Sequence, residues 1–269
     1  MSDVHLIRVA QSGARRVPAS SQEVKLIPVR GIKRVEPGDD IAALLLGAMR
    51  RVSLRLHDRD IVVVTQKIVS KAEGRLVSID AVRPGRRAKA IAAELGKNPK
   101  VVELVLSESK RVVRKGHGIL ITETRQGFVC ANSGVDMSNV EPGFALLLPV
   151  DPDRSARRLR RALEASTGRK LAVIITDTFG RPWRNGQTDV AIGCSGIAPT
   201  LQLSGIRDPY GYLLRVTQPA IADEVAAASE LVMSKLAMVP VAIARGVRYR
   251  RSEAGVRSLI LDSRIDLFR

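Results

Sequence analysis

Two kinds of hydrophobic spacing alternate along this chain, and together they predict its elements. Residues 171–175 and 61–64 are unbroken apolar runs rich in β-branched side chains, the pattern of strands covered on both faces. Further strands are predicted at 24–29, where Pro28 interrupts the run, and at 119–122, 128–131, 144–148, 190–193, 239–244 and 259–261, with a short one at 4–9. Between them the apolar residues take helical spacing. Ile41, Leu44, Leu45 and Ala48 follow a capping Asp39, and Ala88, Ile91, Ala92 and Leu95 end at Gly96. Val101, Leu104 and Val105 follow Asn98-Pro99, a helix-opening pair. An arginine-rich helix spans 153–167 and stops at Gly168, and Pro219 starts another with a stripe at Ile221, Val225, Ala228 and Val232.

Strands and helices mix without a strict strand–helix–strand repeat, which predicts an α+β (mixed α/β) fold rather than a doubly wound sheet. No internal repeat, low-complexity tract or linker divides the chain, so residues 23–269 read as one domain with a docked tail at 262–269. Residues 1–22 are polar and irregular and read as a flexible N-terminal extension. A chain of 269 residues can bury a core without staples, and with aromatics at 3% that core has to be Val, Ile, Leu and Ala.

Charge narrows the ligands but does not choose among them. A net charge of +17, from 44 basic and 27 acidic residues, attracts nucleic acid, nucleotides, acidic lipids or a multiply charged small substrate. Cys130 and Cys194 lie far apart in apolar segments and suggest neither a disulfide framework nor a zinc site. No apolar run reaches the roughly 18 residues of a membrane span, and the N-terminus lacks a signal-peptide core, so a soluble cytoplasmic protein is expected.

Several chemistries are absent. No G-x-x-x-x-G-K-[ST] precedes the strand ending in Asp177, and no G-x-G-x-x-G opens a helix after a strand. His5, His57 and His117 lie apart, and none neighbours a nucleophile motif. An oxygen-ligand pattern remains. Asp136 and Asp177 each sit just past an apolar strand, with Ser138 and Asn139 or Thr178 close by. Mg²⁺ binds through one or two carboxylates while substrate phosphates fill other positions. Gln66, Lys67 and Lys71 end one strand, and Arg181 and Arg184 follow the Asp177 strand in a turn built on Gly180 and Pro182. Residues 194–196 read as a second, small-residue turn. The pattern suits a metal–nucleotide site, with the two arginines contacting phosphate or a substrate carboxylate. Separate surface loops that never converge are the competing reading.

Three motifs then carry a resemblance: residues 134–140 (GVDMSNV), residues 174–184 (IITDTFGRPWR), and Ala222-Asp223-Glu224 with Leu231-Val232-Met233. In this order and spacing, over about residues 25–246, the chain resembles the F420 gamma-glutamyl ligase family in its stand-alone form. The resemblance implies a fold of that family's own, an intertwined homodimer, and GTP-dependent addition of L-glutamate to the deazaflavin precursor F420-0, then of a second glutamate through a γ-linked amide. It also implies Mg²⁺ or Mn²⁺, with room for a monovalent cation. By position, Asp136, Asp177 and Thr178 resemble the metal ligands. Ile32, Lys33, Arg34, Val35, Gln66, Lys67, Lys71 and Asn139, with the segment Met233-Ser234-Lys235, resemble the GTP contacts. One departure stands out: some members carry a carboxylate metal ligand where this chain has Lys235, and neighbouring glycines are replaced by Ser234, Leu236 and Ala237. Two alternatives stay open, a related amide ligase with another acceptor and a basic nucleic-acid-binding protein. The second rests on charge and the basic run 154–161, but has few aromatics for stacking and no recognisable nucleic-acid-binding motif.

Overall fold

The computed structural model describes residues 23–267, so the extension at 1–22 and the predicted strand at 4–9 lie outside the described residues. Ten strands and six helices form among them, labelled here in chain order. The central sheet has the order β1 (Lys25–Pro28), β10 (Val241–Arg245), β2 (Ile61–Thr65), β8 (Ala172–Arg181) and β9 (Arg184–Ser195). Only β2 and β8 run parallel; the other neighbours are antiparallel. Residues 61–64 and 172–175 are wholly buried, which requires cover on both faces. Helices α5 (Pro152–Thr167) and α6 (Ile221–Met233) supply it over β8 and β9. A three-stranded sheet of β4 (Ser109–Gly116), β5 (Ile119–Thr124) and β6 (Val129–Ala131) and the pair β3 (Leu76–Ser78) with β7 (Phe144–Leu146) complete a mixed α and β architecture, in keeping with the α+β expectation.

The parallel register decides where the chemistry goes. Val64 pairs with Ile175 and Thr65 with Thr176, so the carboxyl ends of β2 and β8 stand side by side. Helix α2 (Gln66–Ala72) starts at once, with Thr65 as its N-cap. The sequence pattern treats these residues as a strand end and a turn; a seven-residue helix is too short to show an apolar stripe. The β8–β9 hairpin is also longer than its apolar cores imply. Asp177 and Thr178 lie inside β8 rather than beyond it, and Cys194 and Ser195 belong to β9 rather than to a turn. Hydrogen bonding across the hairpin extends the strands into polar sequence, which periodicity cannot detect.

Other elements shift for local reasons. Helix α1 (Ile41–Arg51) is capped by Asp40, whose carboxylate accepts from Ala43 N at 3.1 Å; Asp39 instead accepts from Glu36 N and Lys33. Helix α5 starts one residue earlier than expected, at Pro152 behind an Asp151 cap, and ends at Gly168 in the left-handed region as expected. Helix α3 (Arg86–Leu95) buries Ala88, Ile91 and Ala92, and α4 (Pro99–Ser107) turns Val102 rather than Val101 fully inward. Helix α6 buries Ala222, Val225, Ala226, Ser229 and Met233, a face rotated from the predicted stripe. Its small residues let it sit close on the sheet, with the bulkier Ile221 and Val232 at the flank. Strand β4 goes unpredicted because its sequence, SKRVVRKG, is that of a charged edge strand with no apolar alternation. Residues 259–261 form no strand; a short 3₁₀ turn, Val256–Leu259, stands there instead. Among the described residues no helix is long and apolar enough to cross a membrane.

Candidate active site

The carboxyl ends of β2 and β8 open into a cleft of about 580 Å³. One wall is α2, which sets Lys67 and Lys71 one turn apart, facing the loop that follows β6. Lys67 Nζ donates to the Asp136 carboxylate, to Ser138 Oγ at 2.8 Å and to Ser138 O at 3.2 Å. Lys71 Nζ donates to Asn139 O at 3.0 Å. Two ammonium groups therefore meet the cleft from a rigid element, and the loop carrying Asp136 is tied to both. Burial, then the neighbouring Arg34 and Lys67 cations, hold the Lys71 ammonium below its ordinary pKa, so an anion entering the cleft would be welcome.

Asp136 is aimed by a strained turn. Asn132, Ser133 and Gly134 all have positive φ, at 52°, 52° and 70°. A buried network compensates: Ser133 N donates to Thr122 Oγ1 at 2.9 Å and Ser133 Oγ to Val105 O at 3.1 Å. A Cβ at Gly134 would lie 2.7 Å from the buried Leu148 side chain. Gly134→Ala is therefore expected to destabilise the protein by about 2–4 kcal/mol, from left-handed strain plus overpacking, and to displace Asp136. Thermal unfolding measures the first effect; an unchanged melting temperature would contradict it. Burial pushes the Asp136 carboxyl up, but bonds from Lys67 and the Ser138 N–H outweigh it and leave the group below its usual pKa.

Asp177 differs. Burial pushes its carboxyl up to about 7, with Asp136 and Asp189 adding repulsion that the Thr178 N–H and Lys67 only partly offset. Asp177 and Asp189 line the same part of the cleft as the Thr178 hydroxyl, and Asp136, outside the lining, lies within electrostatic reach. Hard oxygen donors with surplus negative charge fit a divalent cation. Among the described residues no three His, Cys, Asp or Glu side chains converge closely enough to cage a metal alone. The donor set therefore suits an ion that takes its remaining ligands from substrate phosphates and water, as Mg²⁺ does. Asp177 and Thr178, with Asp136 behind Lys67, are the residues that would hold it.

Most of the sequence-derived candidates gather here. Ile32, Lys33, Arg34 and Val35 line the cleft, as do Asn139, Met233, Ser234 and Lys235. Arg34 Nη2 donates to Glu141 Oε1 at 2.5 Å, joining the two loops across the mouth. Gln66 does not reach the cleft: it is wholly buried, its Oε1 accepts from Ser70 Oγ at 2.8 Å, and its Nε2 has no hydrogen-bond partner among the described residues. Helical rotation turns it inward when Lys67 faces out. Arg181 and Arg184 are exposed near the tip of the β8–β9 hairpin and line no part of the cleft. Conversely, Asp189 and Glu230 line it and escape sequence analysis. Only the hairpin register could have flagged Asp189, by setting it opposite Thr178.

Comparison with known proteins bears on the same residues. A profile of the family described as F420-0:Gamma-glutamyl ligase matches residues 31–246. This chain belongs to that family. The match begins just before the cleft-lining loop at Ile32 and ends just after β10, so it contains every residue assigned above. Among curated relatives of the family, a coenzyme F420:L-glutamate ligase of Methanothermobacter thermautotrophicus is 46% identical, covering 91% of this chain and 99% of the relative. Proteins of the same description from Methanopyrus kandleri and Methanocaldococcus jannaschii are 43% and 41% identical, covering 91% and 80% of the chain and 98% and 86% of the relatives. Membership of this family makes the chain a ligase.

Proposed function

We propose that this chain joins L-glutamate to F420-0 by an amide bond at the expense of GTP, and extends the product through a γ-linked glutamate. One observation carries the reading: β2, β8 and α2 gather Lys67, Lys71, Asp177 and Thr178 around a single cleft in a chain 46% identical to a coenzyme F420:L-glutamate ligase. A carboxylate does not condense with an amine unaided. Its oxygen attacks the γ-phosphorus of GTP, the bond to the β–γ bridging oxygen breaks, and GDP leaves with an acyl phosphate remaining. The amino nitrogen of glutamate then attacks the acyl carbon, gives up a proton, and inorganic phosphate departs. Such a transfer depends on positioning and charge neutralisation. Lys67 and Lys71 would bind and neutralise the phosphates, with residues 32–35 lining the same cleft. A divalent cation, Mg²⁺ or Mn²⁺, would supply further neutralisation of the phosphate oxygens when held by Asp177, Thr178 and Asp136. The active form is proposed to be a homodimer, for which the exposed apolar residues Tyr210, Val216 and Leu236 offer surface.

The deciding assay combines purified protein, F420-0, GTP, Mn²⁺ and glutamate, with products read by mass for added glutamyl units. No mass gain from folded protein would overturn the proposal. GTP turnover is expected to require divalent metal and acceptor together, so rapid hydrolysis in EDTA would contradict the site. Arg181 and Arg184, exposed beyond the cleft, are assigned to the acceptor's anionic groups. Arg184→Ala should then raise KM for F420-0 about tenfold or more with KM for GTP unchanged, the value of a charged hydrogen bond. Equal acceptor KM values would make Arg184 a surface residue.

A further inference from the structure

The register of the β8–β9 hairpin sets Asp189 directly opposite Thr178. Cross-strand partners of an antiparallel pair project from one face, and both residues line the cleft. Asp189 is nonetheless almost inaccessible, the residue being 4% exposed. Among the described residues its one hydrogen-bond donor is the Thr178 hydroxyl, Oγ1 to Oδ1 at 2.8 Å, and no Lys or Arg pairs with it. Buried carboxylates are ordinarily paired, hydrogen-bonded several times over, or set against a metal. The nearby charges do not provide that pairing: Glu230 on α6 and Asp177 on β8 both feel the negative charge of Asp189. A structural ion pair is thus not what keeps Asp189 in place.

The bond itself has a direction. A carboxylate oxygen only accepts, so the single proton of the Thr178 hydroxyl is committed to Asp189. What Oγ1 turns toward the cleft is then lone pairs and never hydrogen. From this geometry we propose that Asp189 is a positioning residue for the ligation: it locks the Thr178 hydroxyl into the orientation that can act as a neutral oxygen ligand to a divalent cation. The inference rests on the cation reading of the site given above. Without the acceptor, the hydroxyl turns freely and can aim its proton at the cation position, where it repels rather than binds. Partners of this kind commonly change metal affinity or activity by about 10- to 100-fold when removed.

The test is Mn²⁺ binding, followed by the electron paramagnetic resonance of free Mn²⁺ with GDP present, alongside melting temperature. Asp189→Leu fills the volume but removes the acceptor, and its Mn²⁺ affinity should fall about 10- to 100-fold with the fold retained. Asp189→Asn keeps an acceptor oxygen and should retain most of the affinity. Thr178→Val should match Asp189→Leu, and the double variant should be no worse than either single one, because both act on one hydroxyl. Should Asp189→Leu not fold, Asp189→Ala carries the same expectation. Unchanged Mn²⁺ affinity in Asp189→Leu, or losses that simply add in the double variant, would overturn the proposal while leaving the cation site standing. Absence of Mn²⁺ binding by the unaltered protein would instead remove the cation reading, and this inference with it.

Discussion

Asp177→Asn is expected to fold normally and to lose glutamate ligation by about 100-fold or more, since charge stabilisation by a metal is worth several kcal/mol. The substitution keeps the size of the side chain and its acceptor for the Thr178 N–H. It removes a charge that burial and two neighbouring carboxylates already oppose, as the rise of its pKa to about 7 records. Stability should therefore be unchanged or slightly higher, and only the chemistry should suffer. If Asp177 merely shaped the hairpin, asparagine would serve as well and ligation would continue. Asp136→Asn should lose ligation alike but also some stability, because its ionised carboxylate is paired with Lys67 and held below its usual pKa. The double variant should ligate little worse than either if the two carboxylates serve one site. Ligation rates by mass, set beside melting curves, separate the cases; near-normal ligation by Asp177→Asn would sink the site assignment.

Asp60→Ala should show the opposite signature, a large loss of stability from a residue outside the cleft. Asp60 immediately precedes β2 and is 1% exposed. Its carboxylate accepts Arg245 Nε at 2.9 Å and Nη2 at 2.8 Å, from the last residue of β10, and His57 N at 2.8 Å. This bidentate pair locks the antiparallel β10–β2 register at one end. Removing one partner of a buried pair leaves the other uncompensated and typically costs about 3–5 kcal/mol. For a domain of this size that lowers the melting temperature by about 6–20 °C. Nucleotide binding measured well below the transition should persist, since the cleft lies at the far end of β2. A melting temperature within about 2 °C of the unaltered protein would show that the pair contributes little net stability.

Much of the fold can be read from the chain because its strongest signals are local. The runs at 61–64 and 171–175 have no polar residue to place in water, so they become central strands wherever the rest of the chain goes. Gly168 ends α5 and Asn98-Pro99 opens α4 because backbone stereochemistry acts within a few residues. The same holds for Asp136 and Asp177, whose position beside apolar runs marks them as candidates before any pairing is known.

What the chain alone leaves undecided is everything that depends on which strand lies beside which. Nothing local makes β2 and β8 parallel neighbours, yet that pairing sets Thr65 beside Thr176 and so α2 beside Asp177, while the loop after β6 has to come across from another sheet to bring Asp136 to Lys67. Face assignment is equally non-local. One residue of helical rotation separates Lys67 in the cleft from Gln66 in the core, and one residue of register would turn Asp189 away from Thr178. Arg181 and Arg184 follow Asp177 closely in sequence, but an extended strand advances about 3.3 Å per residue and carries them out of the cleft along the hairpin. Sequence proximity therefore grouped residues that the sheet separates, and the sheet grouped Asp189 and Glu230 with a site that the linear order never linked them to.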